Sequence, residues 1–286
     1  MTTDRQDVAS PEFYLDQALA AFERARELTD VDEHPATYGV VLHDIALVHE
    51  SSGRVSEAAD LYRRSAAAKR IGSAPDDLQI TLSALATCLI DAGEVGEAHT
   101  VADEALELLG RPGLDLDRSR RADRAYRLGL LYERLGEHGA RGADRQALET
   151  FEWALSLLDE QASPGYCGRI LRAVARMQVL LGRVHDASAS LTEAVRFLER
   201  DGDAMVLVSG LIDLGRVYQR LADESMVPPV VPAPRAPEPA TDAEPEADAE
   251  PEPEVEAEDP PEAASTDGPG WVAGSDGIAR AEPAGA

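Results

Sequence analysis

Arg169, Arg172 and Arg176 are spaced by three and four residues, so on a helix they share one face. A planar guanidinium fork grips a carboxylate through two parallel hydrogen bonds, which makes such a face suited to an acidic peptide segment or a C-terminal carboxylate. The competing reading is a solvated face whose arginines pair with neighbouring Glu and Asp. Bond-making chemistry finds less support. None of the histidines His34, His43, His49, His99, His138 and His185 forms an HExxH pattern or stands beside a nucleophile. His43 and His49 are six residues apart and do not share a helix face. Cys88 and Cys167 lack metal-ligand spacing and read as two reduced thiols, with Cys167 falling in a connecting segment, Pro164-Gly-Tyr-Cys-Gly. No glycine-rich phosphate loop occurs, and the sequence offers neither a catalytic residue nor a metal or cofactor site.

The bulk composition narrows the partners. The chain has 286 residues and a formal net charge of −27, and 44% of its residues are hydrophobic, enough for a substantial core. Residues 226–286 carry fifteen Asp and Glu against Arg235 and Arg280, so acidic charge is concentrated there. Both parts of the chain repel phosphate backbones, which argues against nucleic acid. No apolar run approaches the ~20 residues of a membrane helix, and the first ten residues, MTTDRQDVAS, lack a signal segment. These features predict a soluble cytoplasmic protein. The single lysine, Lys69, against 26 arginines reads as the base-composition bias of a GC-rich bacterial genome.

The elements that must carry the arginines are helices. Only five of the eighteen prolines precede residue 226, and Pro11, Pro35, Pro75, Pro112 and Pro164 all fall between helical patterns. An alanine followed four residues later by an aromatic or small apolar residue recurs as Ala18/Phe22, Ala58/Tyr62, Ala98/Ala102, Ala147/Phe151 and Ala187/Leu191. The intervals are 40, 40, 49 and 40 residues, the mark of stacked units that cannot bury their apolar faces alone. A second stripe alternates with it: Leu42, Ile45, Ala46 and His49; Leu82, Leu85, Ala86 and Leu89; Ala125, Leu128, Gly129 and Tyr132; Leu171, Val174, Ala175 and Gln178; Leu211, Leu214, Gly215 and Tyr218. Glycine-bearing turns at Gly53, Gly93, Gly136 and Gly182 link the two kinds of helix, and the longer third interval predicts an insertion at Glu137–Arg145.

At these residues the chain resembles the tetratricopeptide repeat (TPR) family. Leu128-Gly129-x-x-Tyr132 and Leu214-Gly215-x-x-Tyr218 match its first-helix signature, and Ala58-x-x-x-Tyr62 and Ala147-x-x-x-Phe151 its second. The resemblance covers about residues 11–224, with a period near 40 where the family's is usually 34. It implies an all-α, right-handed superhelical solenoid of antiparallel helix pairs. Four pairs are expected over residues 11–224, with a single capping helix at each end, both presenting polar surface, the last through Arg216, Gln219, Arg220 and Asp223. Residues 1–10 and 225–286 are expected to be disordered, the latter because alternating proline and acid cannot bury enough surface to offset chain entropy.

The resemblance also implies a partner site on the concave face lined by first helices. Carried onto this sequence, that face holds Val40, His43, Leu47 and Glu50; Ile80, Ser83, Thr87 and Asp91; Asp123, Tyr126, Leu130 and Glu133; Arg169, Arg172 and Arg176; and Ile212, Arg216 and Arg220. The run Arg120, Arg121, Arg124 and Arg127 lies off it and reads as solvated surface. The expected function is a non-catalytic adaptor that holds a protein or peptide, acidic in one version, in the groove. The alternative is a sensor of a small peptide or metabolite. In that version the acidic tail folds back onto the groove as an intramolecular ligand, with Trp271 as a docking candidate. A third reading is self-assembly through an uncovered end of the array.

Overall fold

The computed structural model describes residues 10–161 and 163–226, and within them the chain is all helix and turn. Ten helices follow one another: α1 (Pro11–Leu28), α2 (Pro35–Ser51), α3 (Val55–Ile71), α4 (Pro75–Asp91), α5 (Val95–Gly110), α6 (Arg118–Glu137), α7 (Ala143–Ser156), α8 (Pro164–Leu180), α9 (Val184–Asp201) and α10 (Ala204–Met226). Contacts run between sequence neighbours, heaviest within α2/α3, α4/α5, α6/α7 and α8/α9. The all-α solenoid read from the periodicity is therefore the architecture found.

Local chemistry explains the boundaries. Pro11, Pro35, Pro75 and Pro164 each sit in the first turn of a helix, where the missing N–H costs nothing. The Ser10 side chain caps the Phe13 N–H at 3.3 Å, and Asp117 caps Arg120 at 2.7 Å. Inside the first, second and fourth pairs the turn depends on a left-handed glycine, Gly53 at φ 74°, Gly93 at φ 81° and Gly182 at φ 76°. In the third pair Gly136 belongs to α6, and the left-handed residues are Gly139 and Gly142.

The extra length of that third unit is also spread out rather than inserted at one point. The α5–α6 connection spans 111–117 where the preceding one spans 72–74, α6 runs to 20 residues where α4 has 17, and the α6–α7 turn spans 138–142. Spreading the excess keeps the signature residues of α6 and α7 in contact.

The two stripes make the core. Ala58, Ala98, Ala147 and Ala187 are completely buried, as are Tyr62, Ala102 and Phe151. Gly129 shows why the facing position is small: a Cβ there would collide with the Phe151 ring. One continuous apolar cluster runs from Ala46 on α2 to Met177 on α8, and a smaller one joins Ala175, Val184, Ala187, Leu191 and Val217.

The ends differ sharply from the middle. Helix α1 has no buried residue, and α10 buries only Gly210 and Val217. Of the stripe Leu211, Leu214, Gly215 and Tyr218, Leu214 packs against the smaller cluster while the other three are exposed. Leu211 is 47% exposed and Tyr218 51%, against 0% for both Ala125 and Tyr132 at the matching places on α6. Nor is the exposed surface of α10 wholly polar, since Met205, Val208 and Ile212 are exposed as well. Arg216, Gln219, Arg220 and Asp223 are exposed as expected of a polar closing cap, but these apolar residues share the exposed surface of the helix with them.

Candidate partner-binding site

First helices α4, α6, α8 and α10 stand side by side, and two grooves open along them. One, of about 460 Å³, lies between α4 and α6, with Ile80, Ala84 and Leu131 supplying apolar surface and Ser83, Thr87 and Arg127 polar groups. The other, of about 400 Å³, lies along α8 and α10 and is bordered by Arg172, Arg176, Arg216, Glu133, Val179 and Val217.

The fourth-unit arginines reach in different directions and meet carboxylates. Arg172 donates from Nε and a terminal nitrogen to Asp213 of α10 at 2.9 and 2.7 Å. Arg176 holds Glu133 of α6 through two parallel hydrogen bonds at 2.6 and 2.7 Å, and this pairing keeps its guanidinium firmly charged. Arg169 approaches Asp203 at 3.8 Å, and Arg220 pairs with Glu224 one turn on. Arg216 borders the groove on an exposed stretch of α10. Tyr126 is half-buried, its ring 5.6 Å from those of both Phe151 and Tyr166. Trp271 and the acidic stretch 227–286 lie outside the described residues, as does the expected disorder at 1–9.

A ladder of opposite charges thus ties successive first helices: Asp91 to Arg134 at 2.6 Å, Glu133 to Arg176, and Asp213 to Arg172. The partners are 41 to 43 residues apart, one repeat, so a search for opposite charges shifted by a repeat would have revealed them. Arg124 and Arg127, expected off the concave face, line the α4/α6 groove instead. Arg127 pairs with Asp123 at 2.8 Å, and Arg124 reaches Gln79 and the Asp76 carbonyl, both at 3.3 Å. Position around a single helix does not reveal this, because the groove is made jointly with residues of α4.

Chemistry is not favoured by what surrounds the thiols and imidazoles. Cys167 lies inside α8, fully buried, where burial raises its pKa; the connecting-segment placement was wrong because α8 begins at Pro164. Cys88 donates to the Val55 carbonyl, and burial pushes its thiol up to about 11. No group of three or more His, Cys, Asp or Glu able to hold a metal ion occurs among the described residues, and no helix there is long and apolar enough to cross a membrane.

Among solved structures, this chain is similar to BtubC (BKLC) from P. vanneervenii, at 17% identity and a TM-score of 0.54 over 74% of this chain and 85% of that one. A Podosopora anserina putative kinesin light chain with nearly identical TPR-like repeats matches at 18% identity and 0.53, covering 67% of this chain and 90% of that one. The apo form of RapI matches at 16% and 0.52, covering 74% and 78%. The fold is that of a TPR solenoid. No family model and no curated protein matches the sequence. In TPR terms, α2, α4, α6, α8 and α10 are first helices, and both grooves lie among them.

Proposed function

We propose that this chain is a non-catalytic protein–protein interaction adaptor that holds a segment of a partner along its first helices. The observation that carries this reading is the α4/α6 groove, where Ile80 keeps 41% of its surface exposed beside Ser83, Thr87 and Arg127. Apolar surface left uncovered inside a concavity, with polar groups at its rim, fits an extended or helical peptide. Val40 and Leu47 continue exposed apolar surface onto α2.

The arginines of the fourth unit form the second contact region. Because Arg172 and Arg176 already hold Asp213 and Glu133, an acidic ligand would exchange one ion pair for another and gain little. The primary anchor is therefore apolar, with the arginines adding selectivity.

The test compares partners retained from a native lysate by the full chain, an Ile80→Glu/Thr87→Arg variant and an Arg169→Glu/Arg172→Glu/Arg176→Glu variant. A partner held by the wild type and lost from the folded Ile80 variant supports the reading. Equal retention by all three chains refutes it.

A further inference from the structure

The two ends of the solenoid are complementary halves of one repeat. Helix α10 carries the first-helix signature Leu214-Gly215-x-x-Tyr218, yet a Cβ at Gly215 would meet nothing within 4 Å, whereas at Gly129 it would strike Phe151. The notch that takes the second-helix ring inside the array is empty on α10. At the other end, α1 carries the second-helix signature Ala18-x-x-x-Phe22 with no first helix before it among the described residues. Ala18 and Phe22 are partly exposed there, while Ala147 and Phe151 at the matching places on α7 are fully buried.

We propose that α10 of one copy docks on α1 of a second copy of this chain, the two helices completing a repeat across the junction. In that pairing Phe22 occupies the Gly215 notch as Phe151 occupies Gly129, and Leu211 and Tyr218 gain the cover that Ala125 and Tyr132 have. The contact is head-to-tail, so it extends in an open row rather than closing as a two-fold dimer.

Other occupants fit less well. Two α10 faces would each offer a glycine notch without a second-helix ring to fill it. Residues 227–286 follow α10 directly, but they hold thirteen prolines, no Phe or Tyr, and no alanine-then-aromatic pattern. The contact is apolar between chains of net charge −27, so salt should strengthen it by screening repulsion.

Sedimentation or light scattering of the full chain, together with two blocking variants, provides the test. Gly215→Gln fills the notch on an open helical surface, and Ala18→Arg places bulk where α1 is only partly covered; circular dichroism verifies that both stay folded. The wild type should rise beyond dimer mass between ~1 and ~200 µM. Each variant alone should remain a monomer, because one lacks the α10 face and the other the α1 face. An equimolar mixture should form a dimer and stop there. A wild type that stays monomeric overturns the proposal, as does self-association of the Ala18→Arg chain alone, which would mean α10 pairs with itself. A mixture that fails to associate overturns it too. Loss of a lysate partner from the Ile80 variant leaves this result untouched, so the two readings fail separately.

Discussion

His43 shows how far one side chain's surroundings set its chemistry. It is part-buried, its Nδ1 lies 3.2 Å from the Thr81 hydroxyl, and its ring lies 5.2 Å from that of Tyr62. Desolvation first, then the Lys69 charge, lower its pKa to about 4, with Asp77 opposing them. The folded state therefore prefers a neutral imidazole. As pH falls below the unfolded value near 6.5, the unfolded chain binds a proton that the native chain refuses, and stability drops until about pH 4. The loss should be on the order of 2–3 kcal/mol. Chemical unfolding of the wild type and His43→Gln at pH 7 and pH 4.5 measures it: the wild type should lose more than the variant. Equal losses would mean that the imidazole stays protonated in the fold.

At the scale of elements, the same signature residue has opposite meanings on α6 and α10. Gly129→Ala drives a methyl into the Phe151 ring and should destabilise by about 1–3 kcal/mol despite better helix propensity. Gly215→Ala meets open space and should stabilise α10 by roughly 0.5–1 kcal/mol. Urea unfolding of the two variants at low protein concentration decides this, and matching signs would undo the distinction. The comparison also marks what the sequence could reveal. Apolar spacing located the stripes on α2, α4, α6 and α8 because each is covered by a neighbour of fixed register. It could not separate α10 from them, since spacing states which face is apolar and not whether anything lies against it. The arginines of α8 were legible as one face, but the carboxylates that Arg176 and Arg172 hold sit on α6 and α10, and only the packed array brings those within reach.

Across the whole array each unit touches little beyond its neighbours, so stability is a sum of local terms and the ends hold fewest of them. The continuous core from α2 to α8 contrasts with α1, which has no fully buried residue, and α10, which buries Gly210 and Val217. Amide hydrogen exchange in dilute solution should be slowest in α4 through α8 and faster by about two or more orders of magnitude in α1 and α10. Uniform protection would instead indicate a single cooperative unit.

The interior position of Lys69 reaches beyond folding. Its ammonium donates to the Thr81 hydroxyl at 2.7 Å and to the Asp77 carbonyl at 3.3 Å, and the residue is 3% exposed. No other lysine exists in the sequence. The folded chain consequently shows its surroundings no side-chain primary amine. Acetyl transferases, ubiquitin ligases and lysine-specific proteases would find their one target only after α3 and α4 come apart, which makes modification of this residue a record of unfolding.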